Sequence, residues 1–390
     1  MIKRQQLSDL HGVARLAIDA TVGVTDIVEE MHHTIQMGHP PVGASRASRT
    51  AGITGLVYRS VRGLTRLVGM GLDAGMTSVG DLLPEGQPAA KRDALVSVIN
   101  GIYGDHFRGT DNPLEITMGF RYQGIPLSLG EMSGEFWNRE QGDPVGKIML
   151  FVHGLCLSDQ SWIRNGRNHA EILANKLGYT PLFLRYNTGL SITENGQQLA
   201  VMLESLLKNC PFTPEELVIV GHSMGGLVTR SAVYHGGQTD HEWLEYLGGL
   251  AFLGTPHQGA PLERGGNWLD RLLDLSPYAA PFARIGKKRS AGITDLRDGC
   301  ITGQGDGSVS LPDSVNCYVI AGTLAKSQSQ IHQKLIGDGL VPVDSAIGRS
   351  KDPQRSLQIP ESHQCIVFET GHLELLGNST VFNRLNDWFS

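Results

Sequence analysis

The spacing of apolar residues changes once along the chain, from a helical period to a strand-like one. Apolar side chains recur at every third or fourth position over residues 8–36, 53–68 and 89–107, and this spacing predicts amphipathic helices. A stretch rich in Pro, Gly and Ser, GHPPVGASRAS, separates the first two. We therefore predict an all-helical N-terminal extension over residues 1–110.

Residues 111–390 show a different pattern, in which short apolar runs alternate with helical stretches. A hairpin comes first, with a Gln123-Gly124 turn between LEITMGFRY and IPLSL. Unbroken apolar runs follow, in the segments KIMLFV, TPLFLRY, ELVIVGHS, LGGLAFLGTP, CYVIAGT and QCIVFETGH. Unbroken runs are typical of parallel strands that helices cover on both faces. The sequence therefore predicts an α/β domain with a mostly parallel central sheet.

Composition excludes several classes of protein. The 390 residues carry a net charge of −6 with no basic stripe, which argues against nucleic-acid binding. The five cysteines form no CxxC pair, so the sequence predicts neither a disulfide framework nor a zinc site. Asp9, Arg15 and Asp19 interrupt any signal-peptide core, and no apolar run has the length of a transmembrane helix. We expect a cytoplasmic protein.

One motif carries candidate chemistry. The segment Gly221-His222-Ser223-Met224-Gly225 fits G-x-S-x-G between a predicted strand and a predicted helix, the context in which this motif exposes a nucleophilic serine on a tight turn. The alternative is an ordinary glycine-rich turn with a capping serine. His222 is expected to be structural, because a residue beside the nucleophile is poorly placed to take its proton.

Five segments in one order carry a resemblance to a known superfamily. They are LFVHG, GHSMGG, FLGTPHQGAP, GDGLVP and GHLELL. Together they resemble the α/β-hydrolase superfamily, in particular its bacterial lipases and esterases, over residues 114–390. The resemblance does not extend to the N-terminal helices.

A serine hydroxyl needs an imidazole base to become nucleophilic at neutral pH. The resemblance assigns this role to His372, which follows the last predicted strand in a segment similar to the base loop of lipases. The alternative is His363. It precedes that strand and is expected at the opposite end of the sheet.

The superfamily's chain order of Ser, acid and His implies a carboxylate between Ser223 and His372. Asp338, in GDGLVP after the strand CYVIAGT, is the predicted acid that orients the imidazole. The alternative is Asp306 in GQGDGS, which precedes that strand. Asp344 fits a helix cap.

Attack on an ester carbonyl creates an oxyanion that backbone N–H groups must stabilise. One donor is expected at Met224, after the nucleophile, and the resemblance places the second at Leu155 in the HG loop. Gly154 allows close approach of this backbone. His153 either orients the loop through its ring or is a core histidine with satisfied hydrogen bonds.

An insertion at about residues 260–312 is rich in apolar residues. In the superfamily, insertions at this position form a helical cap or lid, which would present apolar side chains to an acyl chain. The alternative is helix packing against the sheet. The N-terminal helices are expected either to wrap the hydrolase or to dock to a lipid or polymer surface.

The resemblance implies a serine carboxylesterase or lipase that cleaves apolar acyl esters through an acyl-enzyme. Hydrophobic polyesters are an extension of this substrate class. The chemistry implies no cofactor, and no metal site is predicted. The alternatives are acyl transfer to an alcohol by the same triad and a non-catalytic lipid-binding or scaffold protein on the same fold.

Overall fold

The computed structural model describes residues 90–127, 146–210, 214–259, 290–303, 309–327 and 337–390, with shorter helical stretches between residues 11 and 29 and at 57–66. The chain divides into two compact units. The first comprises Met1–Ala89 and Phe107–Glu115, and the second comprises Ala90–His106 and Ile116–Ser390. Most of the predicted cap lies outside the described residues.

The second unit is built on an eight-stranded sheet in the order β10-β9-β8-β7-β3-β6-β1-β2. Its strands are β1 (Gly119–Tyr122), β2 (Ile125–Pro126), β3 (Lys147–Val152), β6 (Thr180–Arg185), β7 (Glu216–His222), β8 (Leu247–Leu253), β9 (Asn316–Gly322) and β10 (Gln364–Val367). A separate two-stranded hairpin contains β4 (Ile163–Arg164) and β5 (Arg167–Asn168). Six strands run parallel, and only the β1–β2 hairpin at one edge is antiparallel. The predicted mostly parallel sheet is confirmed.

The strand order reverses beside the central strand β3. From β3 the chain adds β6 on one side and then crosses to β7 on the other side, after which β8, β9 and β10 follow outward. In open α/β sheets, ligand sites form at the carboxyl ends of the strands where the order reverses, because the loops there diverge and leave a crevice. The topology therefore predicts a ligand site at the loops that follow β3 and β7.

Helices cover both faces of this sheet. They are α1 (Ala90–Gly109), α2 (His169–Lys176), α3 (Ile192–Lys208), α4 (Met224–Gln238), α5 (Ala291–Asp298), α6 (Val343–Ala346) and α7 (Ser379–Phe389). Alternate residues of β3 enter different cores: Ile148 and Leu150 pack in one hydrophobic cluster, and Met149 and Phe151 in another. A strand buried on both faces needs an unbroken apolar run, which is the pattern that the sequence carries here.

Side-chain caps fix the start of several helices. Ser191 at α3, Ser290 at α5 and Asn168 at α2 each accept a hydrogen bond from a backbone N–H in the first turn. Such a bond satisfies a donor that the helix itself leaves without a partner. Helix α4 begins differently, as described below. Within the described residues, no helix is both long and apolar enough to cross a membrane.

The first unit is helical at its described positions between residues 11 and 29 and at 57–66. Arg62 and Glu29, 4% and 3% exposed, form an ion pair of 2.5 Å, and Arg62 also reaches Asp26 at 2.8 Å. Asn112 donates its side-chain amide to the Gly12 carbonyl at 3.1 Å. These long-range polar contacts hold the segments of this unit together.

Candidate active site

Ser223 occupies a strained turn between β7 and α4. Its backbone has φ 54° and ψ −126°, a conformation that residues with a side chain rarely adopt and that costs roughly 1–3 kcal/mol. Ser223 stands at the N-cap of α4, but its hydroxyl makes no capping hydrogen bond. The serines that precede α3 and α5 do make one, so Ser223 does not act as an ordinary capping serine. The turn leaves its hydroxyl available for other partners.

The loop after β3, residues 153–159 and hereafter the β3 loop, lies directly against this turn. A Cβ on Gly154 would lie 2.9 Å from Cβ of Ser223 and 3.3 Å from Nδ1 of His222. A Cβ on Gly225, in the first turn of α4, would lie 2.5 Å from the His153 carbonyl oxygen. Real Cβ atoms do not approach so closely, so both positions require glycine. The motif's glycines therefore allow the two loops to touch.

Asp338 and His372 form a hydrogen-bonded pair at the carboxyl ends of β9 and β10. The Nδ1–H of His372 donates to Oδ2 of Asp338 at 2.7 Å, and both residues are 3% exposed. The other oxygen, Oδ1, accepts the backbone N–H groups of Leu340 at 3.0 Å and Val341 at 2.8 Å. With Nδ1 protonated toward the carboxylate, Nε2 of the neutral ring carries the lone pair that a base needs.

His222 joins the serine turn to the loop of His372. Its Nε2–H donates to the carbonyl oxygen of His372 at 3.1 Å, and the two ring centroids lie 4.8 Å apart. The side chain is fully buried, and burial lowers its pKa well below the ordinary value, assisted by His372. The ring is therefore neutral and fixed by its bond to the backbone, which agrees with the structural role expected for it.

The two residues expected to supply oxyanion donors lie at the start of α4 and in the β3 loop. Met224 is the first residue of α4, where a backbone N–H has no acceptor inside its own helix. Leu155 lies in the β3 loop, 1% exposed, next to Gly154. The structure thus brings the β3 loop and the start of α4 to the same point of the sheet.

His153 is a buried ring with a defined orientation. Its Nδ1–H donates to the Gly154 carbonyl at 3.0 Å, and the ring stacks on Tyr186 with centroids 4.6 Å apart. Tyr186 in turn donates its hydroxyl to the His153 carbonyl at 2.7 Å. Burial lowers the pKa of His153 to about 4, so the ring is neutral at physiological pH. These contacts fix the first residues of the β3 loop.

Of the alternative residues, the structure describes His363 and Asp344. His363 precedes β10 and its Nδ1 lies 3.2 Å from the carbonyl oxygen of Cys317, near the amino end of β9. This is the edge of the sheet opposite Ser223. Asp344 lies in the first turn of α6, and Asp306 lies outside the described residues. In the part of the chain that the structure describes, no cluster of His, Cys, Asp and Glu could hold a metal ion.

Four charged residues beside the site form a cluster that no sequence motif predicts. Arg185 contacts Asp93 at 2.9 Å and Asp159 at 3.6 Å, while Arg121 lies 3.3 Å from each of the same carboxylates. We call these four residues the ion cluster. Asp159 belongs to the β3 loop and Asp93 to α1. The residues are scattered along the chain, so only the folded structure reveals that they meet.

Comparisons with known proteins agree with this architecture. A protein-family profile described as "PGAP1-like alpha/beta domain" matches residues 143–277, about a third of the chain, and no curated protein sequence matches significantly. The mature lipase BlEst2 of Bacillus licheniformis is similar in structure, with 21% identity, a TM-score of 0.44, and coverage of 64% of this chain and 95% of that one. The lipase of Staphylococcus hyicus has 13% identity, a TM-score of 0.37, and coverage of 64% and 95%. A soluble variant of the monoglyceride lipase of Saccharomyces cerevisiae has 13% identity, a TM-score of 0.40, and coverage of 64% and 87%.

The sheet order and the strained serine between β7 and α4 define an α/β-hydrolase fold. Within this fold, residues 143–277 match the PGAP1-like alpha/beta domain family.

Proposed function

We propose that the protein is a serine carboxylic-ester hydrolase in which Ser223 is the nucleophile, His372 the general base and Asp338 the acid that orients it. The observation that carries the proposal is the 2.7 Å bond between His372 and Asp338, in a loop that His222 ties to the serine turn. A buried carboxylate–imidazole pair beside an uncapped, strained serine is the arrangement that acyl transfer uses.

The first half of the reaction forms an acyl-enzyme. His372 takes the hydroxyl proton of Ser223 on Nε2 while Oγ attacks the ester carbonyl carbon. Asp338 stabilises the imidazolium that results, because it accepts the Nδ1–H. When the tetrahedral intermediate collapses, His372 returns its proton to the leaving alcohol. In the second half, water attacks the acyl-enzyme by the same steps and releases the acid.

The amides of Leu155 and Met224 are the donors that we assign to the oxyanion. Both belong to buried residues, one in the β3 loop and one at the start of α4. Preorganised donors need not reorient when charge develops, and a single one contributes on the order of 3 kcal/mol to lowering the barrier. His153 and Gly154 support this loop, one through its hydrogen bond and stacking, the other by permitting contact with Ser223.

The proposed substrates are uncharged esters with apolar acyl groups, from short-chain esters to lipids, and hydrophobic polyesters extend this class. The apolar composition of residues 260–312 supports a cap over the acyl group. The proposed steps are complete without an organic cofactor, since the base, the nucleophile and the oxyanion donors all come from the chain.

The test is hydrolysis of a chain-length series of p-nitrophenyl esters by the native protein and by Ser223→Ala. We expect kcat to fall by roughly a million-fold. The matched control is Ser362→Ala, an exposed serine at the amino end of β10, which should keep full activity. A fluorophosphonate probe should label the native protein and the control but not Ser223→Ala. Equal turnover by Ser223→Ala and the native protein would overturn the proposal.

The same assay distinguishes hydrolysis from acyl transfer. Addition of a competing alcohol should divert only part of the acyl group to a new ester if water is the ordinary acceptor. A product that consists of the new ester alone, even at low alcohol concentration, would assign the protein to the acyltransferases instead.

A further inference from the structure

Helix α1 makes an unusually close contact with the β3 loop. Gly101, buried in the middle of this helix, faces Cys156, which follows Leu155 directly. A Cβ on Gly101 would overlap Sγ of Cys156 and lie 3.2 Å from both its Cα and its backbone nitrogen. The helix therefore presses on the main chain of the loop and not only on a side chain that could move aside.

Cys156 is held in a conformation that it would not adopt freely. Its φ is 59°, in the left-handed region that favours glycine. Its backbone N–H donates to Oγ1 of Thr188 at 3.2 Å, and its thiol lies 3.8 Å from the carbonyl oxygen of Val98 in α1. Contacts from α1 on one side and from the loop after β6 on the other therefore hold Cys156 in this backbone conformation.

The position of α1 along its axis is fixed by contacts other than the one between Gly101 and Cys156. Near its start, Asp93 binds Arg185 through both carboxylate oxygens, at 2.9 and 3.1 Å. Further along, the Asn187 side chain donates to the Gly104 carbonyl at 3.0 Å, and the Ser290 hydroxyl donates to the Gly101 carbonyl at 2.7 Å. A helix held at three levels cannot slide to relieve a collision at Gly101, so a larger residue there would displace the loop instead.

We propose that α1 is a positioning element of the active site: through the contact between Gly101 and Cys156, it sets the position of the Leu155 amide. This inference rests on the proposed function, since the Leu155 amide matters only if it binds an oxyanion. The Leu155 N–H belongs to the peptide plane between residues 154 and 155. A displaced Cys156 shifts Cα of Leu155 through the next peptide bond, and this shift reorients the plane that carries the Leu155 N–H. A donor displaced by a fraction of an ångström loses much of its effect on a transition state.

The first experiment compares Gly101→Ala with Gly109→Ala. The control glycine lies in the same helix, and a Cβ there would meet no atom within 4 Å. For Gly101→Ala we expect kcat for a p-nitrophenyl ester to fall by about tenfold to a hundredfold, with KM changed by less than about threefold. The inhibition constant of a trifluoromethyl ketone, which forms a tetrahedral adduct, should rise in parallel. Gly109→Ala should keep the native values.

The second experiment is a rescue. Cys156→Gly removes Sγ, the atom that a methyl group at position 101 would overlap, and suits the positive φ. The main-chain contacts of 3.2 Å remain, but a shift of a few tenths of an ångström relieves them. We expect Gly101→Ala to lower kcat by less than about threefold in the Cys156→Gly background. A generally destabilised fold would not recover in this way, and thermal unfolding of each variant checks that point.

The outcomes separate this inference from the proposed function. If Gly101→Ala keeps native kcat and inhibitor affinity, or if its cost is the same in both backgrounds, the positioning role is wrong while Ser223→Ala still reports on the hydrolase. If Ser223→Ala remains fully active, the proposed function fails, whatever Gly101→Ala does.

Discussion

The two sides of Ser223 are held in place by different forces. On the acid–base side, Asp338 and His372 are fixed by directed hydrogen bonds: the bond between them, two backbone donors to the Asp338 carboxylate, and the bond from His222. On the other side, hydrogen bonds also contribute to the β3 loop, but close packing against glycines and the ion cluster add to them. The difference follows from the task of each side. A proton carrier needs a defined tautomer, which hydrogen bonds give, whereas an amide donor needs a defined position, which packing gives.

The acid–base side should be the more sensitive to a change that preserves shape. Asp338→Asn is isosteric, but an amide can no longer favour the tautomer with Nδ1–H toward it or stabilise an imidazolium. We expect kcat to fall by about 10³- to 10⁴-fold with little change in KM. Steady-state kinetics with a p-nitrophenyl ester measures both quantities.

The matched control for Asp338→Asn is Asp306→Asn, which changes the other candidate carboxylate in the same way. We expect this control to keep activity within about threefold of the native protein. A larger loss in Asp306→Asn than in Asp338→Asn would move the acid to the other segment and contradict the assignment drawn from the hydrogen bond.

The sequence predicts the acid–base side better than the β3 loop, and the reason is physical. Asp338 and His372 are only 34 positions apart, and they follow the buried strands β9 and β10, whose carboxyl ends lie at one edge of the parallel sheet. The strands themselves were predictable because burial on both faces demands unbroken apolar runs; KIMLFV matches β3 residue for residue.

The supports of the β3 loop lacked such a signal. Asp93 and Arg185 are 92 positions apart, and nothing in the residues around either one indicates the pairing. The contact of Gly101 with Cys156 also depends on how two elements meet, which no periodicity encodes. A sequence pattern reports which face of an element is buried but not what lies against it. The spacing therefore predicts α1 as a helix of the N-terminal extension, expected to wrap the hydrolase or to dock to a surface, but does not predict its contact with the β3 loop.

Substitution of His222 tests whether the position of the acid–base pair depends on its hydrogen bond to the serine turn. His222→Ala removes the hydrogen bond to the His372 carbonyl, so the base should become less well placed relative to Ser223. We expect kcat to fall by about tenfold, because a general base placed less well loses part of a contribution of roughly 10²- to 10⁴-fold. KM should stay near its native value. His222→Gln, which can still donate to the carbonyl, should recover most of the loss.

His363 supplies the control for this prediction. It also contacts a backbone carbonyl, that of Cys317 at 3.2 Å, but at the opposite edge of the sheet. His363→Ala should therefore leave kcat unchanged even if it lowers stability. If His222→Ala and His363→Ala have the same kcat, the link is structural only, and the two sides of Ser223 differ less than their contacts suggest.

The β3 loop has a pH dependence of its own, which appears in stability. The pKa of His153 falls from 6.5 to about 4 on folding because the ring is buried. Between these values the unfolded chain binds more protons than the folded one, so the free energy of unfolding declines as the pH drops. Below pH 6.5, one such group lowers the free energy of unfolding by about 1.4 kcal/mol for each pH unit. Above pH 6.5 its contribution to stability is complete.

Urea unfolding at several pH values between 7.5 and 4 measures this slope directly. His153→Phe keeps a ring that can stack on Tyr186 but cannot titrate, so its slope should be shallower by about 1.4 kcal/mol per pH unit, although the variant is less stable at neutral pH. His222, His235 and His257, whose pKa values burial also lowers, contribute to the remaining slope. The control Tyr186→Phe loses only the bond to the His153 carbonyl, so it should lower stability by about 1 kcal/mol equally at every pH. An unchanged slope in His153→Phe would mean that this ring already binds its proton in the folded state, and that the β3 loop is more open to water than its packing indicates.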